Sequence, residues 1–209
     1  MVKSSITLVF VLGILQQAIC NPVFIQGNDS TGYLKNGIAK YNEGNYAGAE
    51  VELNKAIETN SKNSEAYLYL AEVAFFLNEN KKAMDCYNKA IDLNPRCVKA
   101  YKGRGKLKAK FDDYTGSIAD FTKVIEIGKN SADVYFSRAL SYFNLKDYKS
   151  AIADFTEVIK LNRQDCQAFA QRGTAKFNLG DKKGACSDWK KAEKLGNSKI
   201  SETIKKNCK

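Results

Sequence analysis

The chain has 209 residues, 44% of them hydrophobic and 27% charged, with a net charge of +10 and no histidine. That length suits one globular domain or one short solenoid, and the missing histidines remove the commonest general base and metal ligand. The charge invites an anionic partner, yet no run of five or more basic residues occurs and the lysines lie in both halves, as solvated faces do.

The first twenty residues differ from everything after them. Lys3 is a positive start, Ile6 to Leu15 is apolar, and Ala18 and Cys20 stand three and one before a cut ahead of Asn21. The apolar run is shorter than the about 20 residues that span a bilayer. A signal peptide over 1–20 and an exported chain, periplasmic or secreted, are the expectation. A second reading makes Cys20 the lipid-modified first residue of a membrane-anchored lipoprotein, although Gln17 stands where a leucine-like residue is usual. Residues 21–29, with Pro22, Gly27 and Asn28, read as a flexible leader. Asn28-Asp29-Ser30 has the form of a glycosylation sequon.

From Ser30 onward one pattern returns every 34 residues. Ala49 with Leu53, Ala83 with Tyr87, Ser117 with Phe121, Ala151 with Phe155 and Ala185 with Trp189 hold a fixed phase. Five copies without an inserted residue mean a stacked array with boundaries 30–63, 64–97, 98–131, 132–165 and 166–199. Numbering each copy from its first residue, position 4 is aromatic (Tyr33, Tyr67, Tyr101, Tyr135, Phe169). Position 8 is small (Gly37, Ala71, Gly105, Ala139, Gly173), and position 27 is Ala56, Ala90, Val124, Val158 or Ala192.

Each copy breaks at the same phase, at Glu43-Gly44-Asn45, Asn78-Glu79-Asn80, Asp112-Asp113, Lys146-Asp147 and Gly180-Asp181, so each is two helices. Ser30 or Thr31 is the expected cap of the first helix, and Asn94-Pro95 closes the second copy. Residues 200–209 carry Ile200, Ile204 and Cys208 at a spacing of four. That is one face of a capping helix for the last layer.

The pattern resembles the tetratricopeptide repeat, most fully in SEAYLYLAEVAFFLNENKKAMDCYNKAIDLNPRC, where Asn80 replaces the usual tyrosine. The resemblance implies an all-α fold, an alpha-alpha superhelix (TPR solenoid) of five helix-turn-helix repeats plus a C-terminal capping helix. It also implies a non-enzymatic scaffold that binds a protein or peptide on its concave face, and no cofactor or metal. The family's clamp for chaperone C-termini does not fit. One register places Leu34, Ile38, Tyr69, Lys99 and Gly103 at its positions, the other Lys102, Lys106, Ser137, Gln167 and Gln171.

Three groups of residues stand out against the repeated frame. Arg104, Arg138 and Arg172 at position 7 are each followed by an aspartate at position 23, Asp120, Asp154 and Asp188, while repeat two has Leu70 with Cys86 and repeat one Asn36 with Glu52. Residue types that change together point to contact, hence a ladder of internal ion pairs. The first helix of repeat three puts Lys99, Lys102, Lys106 and Lys110 on one face. Tyr41, Phe75, Phe136, Phe143 and Phe177, with Leu34, Ile38, Leu68, Glu72, Phe76 and Leu140, fall on the same wall in other repeats. A ligand with apolar anchors and acidic residues would match that wall. The scattered lysines argue against nucleic acid as the main partner, while an adaptor for an anionic polymer, or an accessory subunit of a cell-envelope assembly complex, is the alternative. After removal of 1–20 five cysteines remain, of which Cys186 and Cys208 face each other if the cap packs on repeat five. A disulfide between them is the expectation for an oxidising compartment.

Overall fold

The computed structural model describes residues 29–209. The signal segment with Cys20, and nearly all of the leader, lie outside the described residues. Ten helices of 13 or 14 residues follow in pairs. Repeat one holds α1 (Ser30–Asn42) and α2 (Tyr46–Thr59), and repeat two α3 (Ser64–Phe76) and α4 (Asn80–Leu93). Repeat three holds α5 (Val98–Lys110) and α6 (Tyr114–Glu126), and repeat four α7 (Ala132–Asn144) and α8 (Tyr148–Leu161). Repeat five holds α9 (Cys166–Asn178) and α10 (Lys182–Lys194). A single 3-10 turn, Ser198–Ile200, leads into the short α11 (Ser201–Asn207). The closing segment therefore begins at Ser198, and its helix stops one residue before Cys208. Each helix packs on its sequence neighbours, and α1, α3, α5 and α7 also touch in succession to form an inner wall. Among the described residues there is no strand and no helix long and apolar enough to cross a membrane.

Local chemistry ends the helices in the same way in each repeat. Position 15 is Gly44, Asn78, Asp112, Lys146 or Gly180, and all five are left-handed, with φ from 60° to 96°. This reverses the chain in one step. The next residue then caps the following helix: Asn45, Asp113, Asp147 and Asp181 each accept a backbone N–H three residues on. Glu79 holds the equivalent place without a side-chain cap. At the start of α1 the cap is Asp29, which accepts from the Gly32 N–H at 2.8 Å, rather than Ser30 or Thr31. Ser30 is thereby free to donate to the Ala56 carbonyl at 2.9 Å and tie α1 to the end of α2.

Inside each repeat the large residue at position 24 is the centre of the core. Leu53, Tyr87, Phe121, Phe155 and Trp189 are all at most 1% exposed. A Cβ at Gly37 would stand 2.7 Å from Leu53 Cγ, and one at Gly173 would stand 2.6 Å from Trp189 Cδ1. Nothing larger than hydrogen fits there. Ser117, the one departure from alanine at position 20, is fully buried and shares a 2.9 Å hydrogen bond with buried Ser141 of the next repeat. The hydroxyls satisfy each other, which makes the departure tolerable.

The arginines of position 7 are bridges between repeats. Arg138 donates through Nε and Nη2 to Asp154 at 2.7 and 2.8 Å, and through Nη1 to Thr122 of the preceding repeat at 2.9 Å. Arg172 repeats this with Asp188 and Thr156, and Arg104 with Asp120 and Asn88. Each guanidinium also lies 5.5 to 5.7 Å from the ring at position 4, Tyr101, Tyr135 or Phe169. Lys108 and Lys176 add a second cation to Asp120 and Asp188, while in repeat one Lys40 reaches Glu52 at 3.2 Å. Repeat two, with Leu70 and Cys86 both buried, fills the same place with apolar groups.

At the far end Cys186 and Cys208 bring their Cα atoms to 5.5 Å and their Sγ atoms to 2.07 Å, within disulfide geometry. Cys86, Cys97 and Cys166 form no disulfide among the described residues. Burial pushes the Cys86 thiol up to about 11, so it stays protonated.

Removing Arg138 leaves the Asp154 carboxylate, only 5% exposed, without its bidentate partner. Arg138→Leu is expected to cost about 3 kcal/mol. Combining it with Asp154→Cys, which copies the Leu70 and Cys86 pair of repeat two, should restore most of that loss. Urea denaturation followed by far-UV circular dichroism reads both, and equal midpoints for wild type and Arg138→Leu would remove the bridge from the stability of the fold.

Candidate functional site

The first helices present their free faces along the inner wall, and the side chains that face outward there are not equivalent. Leu34 and Leu68 are buried at 9% and 5% exposure and belong to the core. Phe136, Phe143 and Phe177 are half-buried, with rings 5.4, 5.4 and 5.5 Å from Phe155, Tyr148 and Trp189. They offer the wall ring edges rather than free faces. The aromatic surface gathers instead at the first two repeats. Tyr41 lies 5.9 Å from Tyr46, 5.6 Å from Tyr69 and 6.0 Å from Phe76, and Phe76 stacks on Tyr46 at 4.8 Å while remaining 50% exposed.

The lysines of α5 face this cluster. Lys99 Nζ stands 5.7 Å from the Tyr69 ring, and Lys110 Nζ 5.4 Å from the Phe75 ring and 3.2 Å from Asn80 Oδ1. Lys102 pairs with Asp133 of the next repeat. Lys106 is exposed and forms no ion pair among the described residues. Three of the four thus reach the second or fourth repeat, and the stripe is tied to its neighbours rather than freely solvated.

Between the aromatic cluster and the lysines lies a cavity of about 270 Å³, lined by Glu72, Phe75, Phe76, Tyr87, Lys99, Lys102, Gly103 and Lys106. Tyr87, the only tyrosine among the position-24 residues, brings its hydroxyl beside Glu72 in the lining of this cavity. A Cβ at residue 103 would stand 2.5 Å from that hydroxyl oxygen and 2.3 Å from Cζ, so only glycine lets Tyr87 reach the cavity. Burial raises the Glu72 carboxyl above its ordinary range, against the opposing pull of the Tyr87 hydroxyl, Lys106 and Lys99. Burial and Glu72 together also raise Tyr87 far above the usual phenol. A second cavity of about 320 Å³ continues the groove beside Lys106, Lys110 and Leu140.

The sequence places Glu72 on this wall but assigns Tyr87 to the core. The available signal is Gly103, since the other repeats have Lys35, Tyr69, Ser137 and Gln171 at position 6. Nothing in the wall gathers metal ligands: among the described residues no three His, Cys, Asp or Glu side chains come together in that way.

A carboxyl that binds its proton more tightly in the folded chain makes folding relatively more favourable as pH falls through its range, and when ionised at neutral pH it costs stability. Glu72→Gln lacks that charge. The denaturation midpoint of Glu72→Gln should therefore exceed that of wild type at neutral pH, with the gap closing toward about pH 4, near the ordinary carboxylate range. A pH-independent gap would take the cost away from the buried charge.

Comparison with protein families finds the tetratricopeptide repeat over residues 41–111 and again over 132–165. No curated protein matches the chain. Among solved structures, YrrB, described as a TPR protein with an unusual peptide-binding site, is 18% identical, with a TM-score of 0.79 over 87% of this chain and 94% of its own. MamA is 22% identical, with a TM-score of 0.75 over 82% and 94%. The MamA of Desulfovibrio magneticus is 16% identical, with 0.75 over 81% and 96%. These likenesses show the fold. Two sequence matches that together take in just over half of the chain, laid over five helix pairs in one unbroken phase, make it a member of the tetratricopeptide repeat family.

Proposed function

We propose that the chain is a non-enzymatic protein–protein interaction scaffold that holds a peptide or an extended protein segment along its inner wall. The observation that carries this reading is the cavity between α3, α4 and α5, apolar on one side at Phe75 and Phe76 and basic on the other at Lys99, Lys102 and Lys106. A ligand with apolar anchors and acidic residues complements both sides. YrrB, of similar fold, is described as having a peptide-binding site.

A second reading, an adaptor for an anionic polymer, draws support from the distribution of charge. Residues 182–209 hold nine lysines against three acidic residues. All nine are exposed, and none forms an ion pair among the described residues. Lys182, Lys183, Lys190 and Lys209 ring a cleft of about 500 Å³ beside Cys186 and Cys208. Photo-crosslinking residues placed at Phe76 and, separately, at Lys190 separate the readings. The scaffold predicts a discrete protein adduct from Phe76, and adducts from Lys190 alone would favour the anionic polymer.

Export belongs to the same proposal. The pattern of residues 1–20 and the approach of Cys186 to Cys208 support a chain that is cleaved ahead of Asn21 and oxidised in a periplasmic or secreted setting. The alternative is retention on a membrane through a lipidated Cys20. Alkylation of the denatured, unreduced chain from its native compartment should label Cys86, Cys97 and Cys166 and spare Cys186 and Cys208. Intact-mass measurement should place the new terminus at Asn21. Labelling of all five cysteines, or a lipid on Cys20, would remove the corresponding part.

A further inference from the structure

The cavity beneath Phe75 and Phe76 has a chemistry more specific than an apolar pocket with a basic rim. Its lining includes the Glu72 carboxylate, which lies beside the Tyr87 hydroxyl and forms no salt bridge among the described residues, although Lys99 and Lys106 are close enough to act on it. A carboxylate offers about four acceptor sites. No hydrogen bond among the described residues takes them up on half-buried Glu72, and a ligand that covered them without offering a donor would leave them costly.

Four kinds of side chain could enter. An aliphatic or phenyl anchor would fit between Phe75 and Phe76 but would cover Glu72 without giving it a donor. A carboxylate would meet Glu72 at short range. A lysine or arginine would satisfy Glu72 but would sit beside Lys99 and Lys106, two ammonium groups without a carboxylate partner of their own among the described residues. A neutral aromatic side chain with a donor at its tip satisfies all of these constraints. The volume of about 270 Å³, room for roughly nine waters, admits one such side chain.

Resting on the scaffold reading above, we propose that this cavity is an anchor pocket for a tyrosine or tryptophan side chain from an acidic segment of the partner. The ring lies against Phe75 and Phe76, its O–H or N–H donates to Glu72, and carboxylates flanking it pair with Lys106 and Lys99. Gly103 serves this site, because any side chain there would drive Tyr87 away from Glu72.

Fluorescence anisotropy of the full chain with three synthetic fluorescein-labelled peptides tests this. The peptides are aspartate-rich and identical except for one central residue: tyrosine, phenylalanine or lysine. The tyrosine peptide should bind about tenfold more tightly than the phenylalanine one, the ratio expected for one buried hydrogen bond to a charged group, and the lysine peptide should bind more weakly than the tyrosine peptide. Glu72→Leu should bring the ratio of tyrosine to phenylalanine close to one, and Lys106→Glu should weaken the tyrosine and phenylalanine peptides alike without changing their ratio. Glu72→Gln, which keeps an acceptor, should keep part of the preference and serves as the control should Glu72→Leu lose helicity. Equal binding of tyrosine and phenylalanine, a preference that survives in Glu72→Leu, or no binding of any peptide would each overturn the pocket. If the Phe76 crosslink still captures a protein partner in those cases, the scaffold stands and only its anchor has been misassigned.

Discussion

Each repeat is closed by a bulky residue at position 24 pressed against a residue with almost no side chain at position 8, and the other features of the array follow from that contact. Leu53 on Gly37 and Trp189 on Gly173 approach so closely that a methyl group would overlap them. The two helices of a pair are therefore held at backbone distance over their middles. With position 24 spent on this contact, the opposite face of each first helix is left free, and five such faces stacked at a fixed phase make a wall. The array thus creates its open inner wall by using the other surfaces for packing.

What holds one pair to the next differs along the chain. A continuous apolar cluster runs from Leu34 in repeat one to Val134 at the start of repeat four, whereas a second, smaller cluster gathers around Phe155 in repeats four and five. From repeat three onward the junctions carry arginine bridges, each tying the second helix of one repeat to both helices of the next. A paired guanidinium in a half-dry setting fixes geometry through its planar fork and adds little net stability over an apolar replacement. Leu70 and Cys86 show that the fold accepts the apolar version. The ionic junctions fix the angle between successive repeats from the second onward.

The architecture was open to reading because it repeats: five copies in phase fix the helix boundaries, the buried columns and the pairing of positions 7 and 23. Partners that lie in a neighbouring repeat were harder to see. The third hydrogen bond of each arginine goes to Asn88, Thr122 or Thr156, and polar residues at position 25 are too ordinary on a helix surface to suggest a contact. The bond between Ser117 and Ser141 joins two residues that look like unrelated departures from the pattern. Along the wall, the lysines of α5 could be placed on one face by spacing alone. The half-buried state of Phe136, Phe143 and Phe177 could not, since it depends on which ring in the second helix each one meets.

The anchor pocket illustrates why a site in a repeat protein is found in its departures. Position 24 is a core position in every repeat, and a tyrosine there reads as one more aromatic filler. Its hydroxyl becomes part of the wall only because two other positions depart in the same place, Gly103 by having no side chain and Glu72 by putting a carboxylate where it is poorly solvated. Neither change strengthens the repeat. Glycine lowers helix propensity at the middle of α5, and the buried carboxylate opposes folding at neutral pH. Two local costs that meet around one hydroxyl, beside exposed Lys106 and half-exposed Phe76, form a combination that packing alone does not require.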